Sequence, residues 1–195
     1  MISKFSRSLL CAGLLGVYGC GGTDEGTLAT DGLSPQDGDA PAGETPAAPV
    51  HALSHAQQVA VIEQRLEATN TRDWDRWEAL HTPDAVRTAP ELEEPLRGAP
   101  ALRAAIEVLS VAFPDYHLEL RQAIGEGDWL SVRLHTTGTM TGPLLLSDGT
   151  EVPATGQPID QEWSALVRFE ADRIAQFDEY YDQLTLMLQL GLLAP

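Results

Sequence analysis

Lysine is all but missing from this chain: Lys4 is the only one in 195 residues, so a product that has lost its first residues has no lysine amine for Schiff-base chemistry and no phosphate-loop lysine. Bases of any kind are scarce, 12 against 29 acids, and a formal charge of -17 repels phosphate backbones and anionic lipid headgroups alike. Nucleic acid is therefore excluded as a partner. Cysteine is limited to Cys11 and Cys20, too few for a disulfide framework or a cysteine metal cluster. No apolar run is long enough to span a bilayer as a helix; the longest candidate, Leu9 to Val17, is an h-region in length. What is present, 43% hydrophobic residues and only 21% charged, is enough for one compact domain.

Lys4 and Arg7 supply a positive n-region ahead of Leu9 to Val17, and residues 1–19 read as an export signal. Its end, Val17-Tyr18-Gly19-Cys20, resembles the lipobox of bacterial lipoproteins. That resemblance implies lipid attachment at Cys20, membrane association through that lipid and a place in the bacterial cell envelope. An ordinary secretory peptide with an incidental cysteine is the plainer reading, and Tyr18 departs from the usual small residue. A Cys20→Ser protein is expected to leave the detergent phase in partitioning experiments, and unchanged partitioning would remove the anchor. Residues 20–52 are rich in Gly, Pro, Ala and acids, with no base and few large apolar side chains. Such a segment is predicted to stay disordered and, as a tether, to span roughly 30 Å.

The domain is predicted over 53–195. Ser54 caps a helix with Val59, Ile62 and Leu66 at helical spacing and with Arg65 and Glu67 facing water. Asp73 caps a short helix carrying Trp77 and Leu80, which Pro83 stops; Trp74 and Trp77 read as core. A third helix runs from Pro100 to Phe113. The period then falls to two: His117 to Ile124 and Trp129 to Met140 flank Gly125-Glu126-Gly127-Asp128 as a hairpin, and Gln161 to Phe169 with Ile174 to Tyr181 form another. Leu184 to Leu190 begins a terminal helix, which Asp182 caps. Helices followed by antiparallel strands argue an α+β fold, with the helices on one face of a strongly bent, mostly antiparallel sheet.

Strict alternation from Ile174 puts Ala175, Phe177, Glu179 and Tyr181 on one face and Ile174, Gln176, Asp178 and Tyr180 on the other. If the first face lines a pocket, Glu179 is desolvated between Phe177 and Tyr181 and is a candidate general base. On that view Glu179→Gln removes a buried charge and is neutral or mildly stabilising. If the face meets solvent or a second copy of the chain in a homodimer, Glu179 is one of several surface acids. His135 is either a proton shuttle or a surface histidine beside Arg133, and its alternation with Leu130, Val132 and Leu134 favours the surface. Arg87 either holds a substrate oxygen at a pocket mouth or pairs with a surface acid. Trp163 lines the pocket or fills the core.

Phe113-Pro114-Asp115-Tyr116, the Gly125-Glu126-Gly127-Asp128 turn, Thr137-Gly138-Thr139-Met140-Thr141-Gly142, Gly156-Gln157-Pro158, the Arg173-Ile174 turn exit and Gln189-Leu190-Gly191-Leu192-Leu193 occur in an order that resembles the SnoaL-like polyketide cyclases, or ester cyclases. The similarity spans roughly residues 56 to 193. It implies a cone-shaped barrel like nuclear transport factor 2, with a pocket between sheet and helices and no metal or organic cofactor. It also implies intramolecular aldol cyclisation begun by an acidic residue on the last strand, a position that falls on Glu179. Here it is glutamate rather than aspartate, and a displacement on the order of 1 Å can cost about a hundredfold in rate. The family's pocket histidine falls on Ala165 and its pocket asparagine near Arg87, so the native polyketide's contacts are altered.

Two functions follow. One is cofactor-free acid-base chemistry, an aldol cyclisation or proton-transfer isomerisation, on a small apolar carbonyl compound, with Glu179 catalytic and Arg87, Trp163, Phe177, Tyr181 and His135 around the substrate. The other is an envelope-tethered domain that binds a hydrophobic small molecule or a protein without turnover.

Overall fold

The computed structural model describes residues 53–146 and 149–193, all within one compact unit. The export signal, the Cys20 lipid site and the acidic tether lie outside the described residues.

Helix α1, His55–Thr71, starts where its sequence signal lies: the Ser54 hydroxyl accepts from Gln57 N at 3.4 Å while Gln57 Oε1 accepts from Ser54 N at 2.9 Å, a reciprocal capping box. It ends at Arg72, a non-glycine residue at φ 61°, whose side chain donates to the carbonyls of Thr69 at 2.7 Å and Pro114 at 2.8 Å. The same residue that turns the chain left-handed thus ties α1 to the segment entering β3. One expectation fails on this helix. Arg65 does not face water but is 5% exposed, beside Ile62 and Leu66.

Helix α2, Trp74–Ala79, is capped by Asp73 and buries Trp77. It stops before Pro83, because the chain enters a strand already at His81: β1 is His81–Thr88. Pro83 sits where pairing of β1 jumps from His81 to Val86, so its missing N–H removes no ladder bond. After the short β2, Leu96–Arg97, come α3, Ala99–Ala112, and the hairpin of β3, His117–Glu126, with β4, Trp129–Thr139. The small pair β5, Leu144–Leu145, and β6, Glu151–Val152, precedes the hairpin of β7, Pro158–Glu170, with β8, Arg173–Tyr180. Helix α4, Gln183–Gln189, follows, with Asp182 Oδ1 accepting from Thr185 N at 2.9 Å.

The main sheet runs β2-β1-β8-β7-β4-β3, antiparallel throughout except for β1 beside β8. It bends around α1, and Val61, Ile62 and Leu66 meet Leu118, Leu130, Val132, Leu134, Ala165, Val167 and Phe177 in the main core. The α+β class and the bent, mostly antiparallel sheet are as expected. The barrel is not closed: β2 and β3 remain at opposite edges. Ala112, Phe113, Met140, Ile159 and Leu190 form a second cluster. Among the described residues no helix is long and apolar enough to cross a membrane.

Alternation along β8 is interrupted. Phe169 faces Ile174 while Arg168 faces Gln176, so Ala175 is an extra residue, a bulge. Ile174 therefore joins Phe177 in the core, and Ala175 instead lines an outer cleft with Val86 and Arg168. The face assigned to Ile174 and Ala175 is corrected by that one inserted residue; Phe177 and Glu179 stay on the inner face.

Candidate functional site

Glu179 lies opposite Ala165 on β7, whose small side chain is 1% exposed and leaves the space beside the carboxylate to other groups. On the other side Arg87 is paired in register with Phe177, two residues before Glu179 on β8 and on the same face, because β1 and β8 run parallel. The outcome is a two-point ion pair: Arg87 Nε donates to Glu179 Oε1 at 2.8 Å and Nη2 to Oε2 at 2.7 Å. The two side chains are 19% and 11% exposed. Arg87 and Glu179, nominated separately from sequence, are thus one unit, and Glu179 is not the uncompensated carboxylate that its neighbours Phe177 and Tyr181 suggested. Burial works against the Arg87 charge, but the Glu179 carboxylate, with Glu91 behind it, raises its pKa overall.

The polar chain continues outward. Arg87 Nη2 also donates to Glu91 Oε1 at 2.8 Å, and Glu91 Oε2 accepts from the Tyr181 hydroxyl at 2.6 Å. Glu91 belongs to the loop after β1, so that loop and the end of β8 are latched over the ion pair. Burial and the Glu91 carboxylate raise the Tyr181 pKa; burial opposes the Glu91 charge, but Arg87 and the Tyr181 hydroxyl hold its carboxyl below the usual range. Tyr181 therefore reaches the site through Glu91 rather than Glu179.

Phe177, 1% exposed, is packed in the main core, and the Trp163 ring meets it edge-on at 6.4 Å between centroids. Trp163 Nε1 donates to Thr136 Oγ1 at 2.7 Å, which fixes the indole on the inner side of β7. His135 falls on the opposite face: it lies 2.8 Å from Asp160 and 2.9 Å from Arg121 on the outer surface, and nothing brings it to Glu179. The substrate-side placement of His135 is corrected by the alternation of β4, which turns Leu134 and Thr136 inward instead.

Three groups not singled out from sequence complete the inner face. Arg65 crosses from α1 with its guanidinium carbon 4.0 Å from the Phe177 ring centroid and 5.1 Å from that of Trp77. His81, at the start of β1, has Nδ1 2.8 Å from the Trp77 carbonyl, which makes Nδ1 the protonated nitrogen and leaves Nε2 to accept from Arg65 Nε at 3.4 Å. Tyr116 is held protonated, its pKa pushed up to about 12 by burial, and the charges of Glu179, Arg65 and Arg87 all act on it. A signal for Arg65 was available: Ile62, Arg65, Leu66 and Thr69 occupy the i, i+3, i+4, i+7 positions of one helix face.

Burial, then the Arg65 charge, lowers the His81 pKa to about 3, against the pull of the Trp77 carbonyl. Its contribution is complete above the unfolded value near 6.5, and it is lost as pH falls toward 3, because the unfolded chain takes up a proton that the folded one refuses. Between pH 7 and 4.5 that costs about 2 to 3 kcal/mol. Urea unfolding of wild type and His81→Asn should show wild type losing more stability over this interval by that amount; parallel losses would contradict it.

Two clefts open on the outer side. One of about 390 Å³ is lined by Arg133, Glu162, Ser164, Tyr180 and Asp182 with the edges of Trp163 and Tyr181; the other, of about 430 Å³, includes Val86, Arg168 and Ala175. Neither is lined by Glu179. Among the described residues no three His, Cys, Asp or Glu side chains gather to hold a metal ion.

The family model described as SnoaL-like polyketide cyclase matches residues 60–190. No curated protein matches the chain. Among solved structures, TsrD from Streptomyces laurentii superposes with a TM-score of 0.62 at 29% identity, over 72% of this chain and 99% of that one. IdmH from Streptomyces antibioticus, described as a candidate polyketide cyclase, gives 0.58 at 26% identity over 69% of this chain and 99% of that one. A Jannaschia sp. CCS1 protein described as a candidate SnoaL-like polyketide cyclase gives 0.63 at 22% identity over 77% of this chain and 99% of that one, which speaks for the fold alone.

Proposed function

The chain belongs to the SnoaL-like polyketide cyclase family, and from that premise we propose that it carries out cofactor-free acid-base chemistry on a small carbonyl compound, with Glu179 as the base. The observation that carries the reading is an inward carboxylate, 11% exposed, that faces the small buried Ala165 across β7 and follows the buried Phe177 on its own strand. Glu179 takes a proton from the carbon beside the carbonyl, and the Tyr116 hydroxyl donates to the oxygen on which the charge collects. The enolate then attacks a second carbonyl of the same molecule, or is reprotonated elsewhere, giving cyclisation or isomerisation. Arg87 holds the carboxylate plane in one orientation, which serves positioning.

The two-point clamp by Arg87 also favours a second reading, since it occupies both carboxylate oxygens: a domain that binds a hydrophobic ligand without turnover. Exchange of α-protons for deuterium in a panel of 1,3-diketones, followed by NMR in D2O, separates the two. Exchange above the buffer rate supports the enzyme. Binding of panel members without exchange supports the binding domain and removes the catalytic reading.

A further inference from the structure

Glu179 is 11% exposed, and neither outer cleft reaches it. The polar chain on its solvent side ends in Glu91, whose two oxygens are held by different side chains. Oε1 accepts from Arg87 Nη2 at 2.8 Å and Oε2 from the Tyr181 hydroxyl at 2.6 Å. Arg87 stands on β1 and Tyr181 directly follows β8, whereas Glu91 comes from the loop between β1 and β2. That loop is lightly held. Among the described residues, 90–95 make no hydrogen bond or ion pair beyond residues 89–95 except through Glu91, and Leu92 belongs to none of the three apolar clusters. Lifting the loop therefore breaks two bonds at the protein surface and no core packing.

We infer that Arg87 Nη2 and the Tyr181 hydroxyl form an anion subsite beside Glu179, which the Glu91 carboxylate fills in this closed form and which an enolate or carboxylate oxygen of the ligand fills once the loop lifts. The inference rests on Glu179 as the proposed base and adds the place of a charged ligand oxygen. Glu91 is thus a stand-in for the ligand. Both donors are set by the ends of two neighbouring strands, so they stay when the loop goes. Arg87 keeps its two bonds to Glu179, because Nε and one N–H of Nη2 are already committed there. The other Nη2 N–H is then released beside Glu179 Oε2. Charge favours the same exchange. With Glu91 in place, the guanidiniums of Arg65 and Arg87 are balanced by two carboxylates; with it withdrawn they face Glu179 alone, and one positive charge is left over. The enolate of a 1,3-dicarbonyl restores the balance, and donors of this kind hold a charged oxygen more strongly than a neutral one.

The test empties the subsite with Glu91→Ala and probes it with acetate, using acetamide as the neutral isostere, by NMR titration at pH 7 and constant ionic strength. Acetate should bind the variant at least about tenfold more tightly than it binds wild type, and at least about tenfold more tightly than acetamide binds the variant. Adding Tyr181→Phe to Glu91→Ala should remove most of that preference. If Glu91→Ala does not fold, acetate should shift the amide resonances of Glu91 and Leu92 in wild type, and chloride should leave them in place. Equal acetate affinity in wild type and variant, equal affinity for acetate and acetamide, a preference that survives Tyr181→Phe, or unmoved loop resonances overturns the subsite. Glu179→Gln separates this from the proton-transfer reading: in the Glu91→Ala background it should keep the acetate preference even when deuterium exchange is lost.

Discussion

Glu179→Gln should fold, should still bind ligand, and should lose about two to four orders of magnitude in α-proton exchange. The amide keeps the shape of the carboxylate and one oxygen to accept from Arg87, but it has no lone pair basic enough to take a carbon-bound proton. A loss through misfolding is distinguished by circular dichroism and by ligand affinity, both of which should be retained. The ion pair reverses the stability expected from sequence. A carboxylate buried alone would be better replaced by an amide, whereas this one answers Arg87, whose side chain is 19% exposed. The substitution should cost about 1 to 3 kcal/mol rather than nothing. Exchange at the wild-type rate in a folded variant would remove Glu179 as the base.

The reciprocal change, Arg87→Met, should be more damaging. It leaves a carboxylate that is 11% exposed with its fork of donors gone, and breaking a buried pair from one side costs about 3 to 5 kcal/mol. Arg87→Met combined with Glu179→Leu should recover most of that, since an apolar pair of similar volume has no charge left to compensate. Urea unfolding of the two single variants and the double variant gives the coupling directly. A cost below about 1 kcal/mol for Arg87→Met would mean that water already solvates the pair.

Helices α1, α2, α3 and α4 and both hairpins were legible because their signals are local: Ser54, Asp73 and Asp182 cap where expected, and the period of two holds along β4. Strand β1 was not. Its sequence, His81-Thr-Pro-Asp-Ala-Val-Arg-Thr88, does not alternate, and it becomes a strand through its parallel neighbour β8, an interaction of long sequence separation. The surroundings of Glu179 were only partly legible for the same reason. Glu179 was placed by counting along one strand, but its partner could be identified only by knowing that β1 lies next to β8. Arg65 is hard to read in the sequence because a charge ordinarily marks a solvent face, although its spacing puts it with Ile62 and Leu66. Ala175 shows the limit of alternation, since one inserted residue exchanges the faces of everything before it.

The parallel pairing of β1 with β8 also fixes an order of assembly. Residues 87 and 179 are separated by 92 positions, and β8 is the only strand that touches both β1 and β7. Before β1 and β8 pair, β1 and β2 form one fragment and β3, β4, β7 and β8 another, each with an unpaired edge on the side where the other belongs. Closing so long a loop is slow compared with forming either hairpin, so the pairing of β1 with β8 is the late step of folding and the interval most exposed to edge-to-edge association. Glu179 rides on β8. The carboxylate thus reaches Arg87 in the same event that joins the two halves of the sheet, and an intermediate that has its helices and both hairpins but has not paired β1 with β8 has no site.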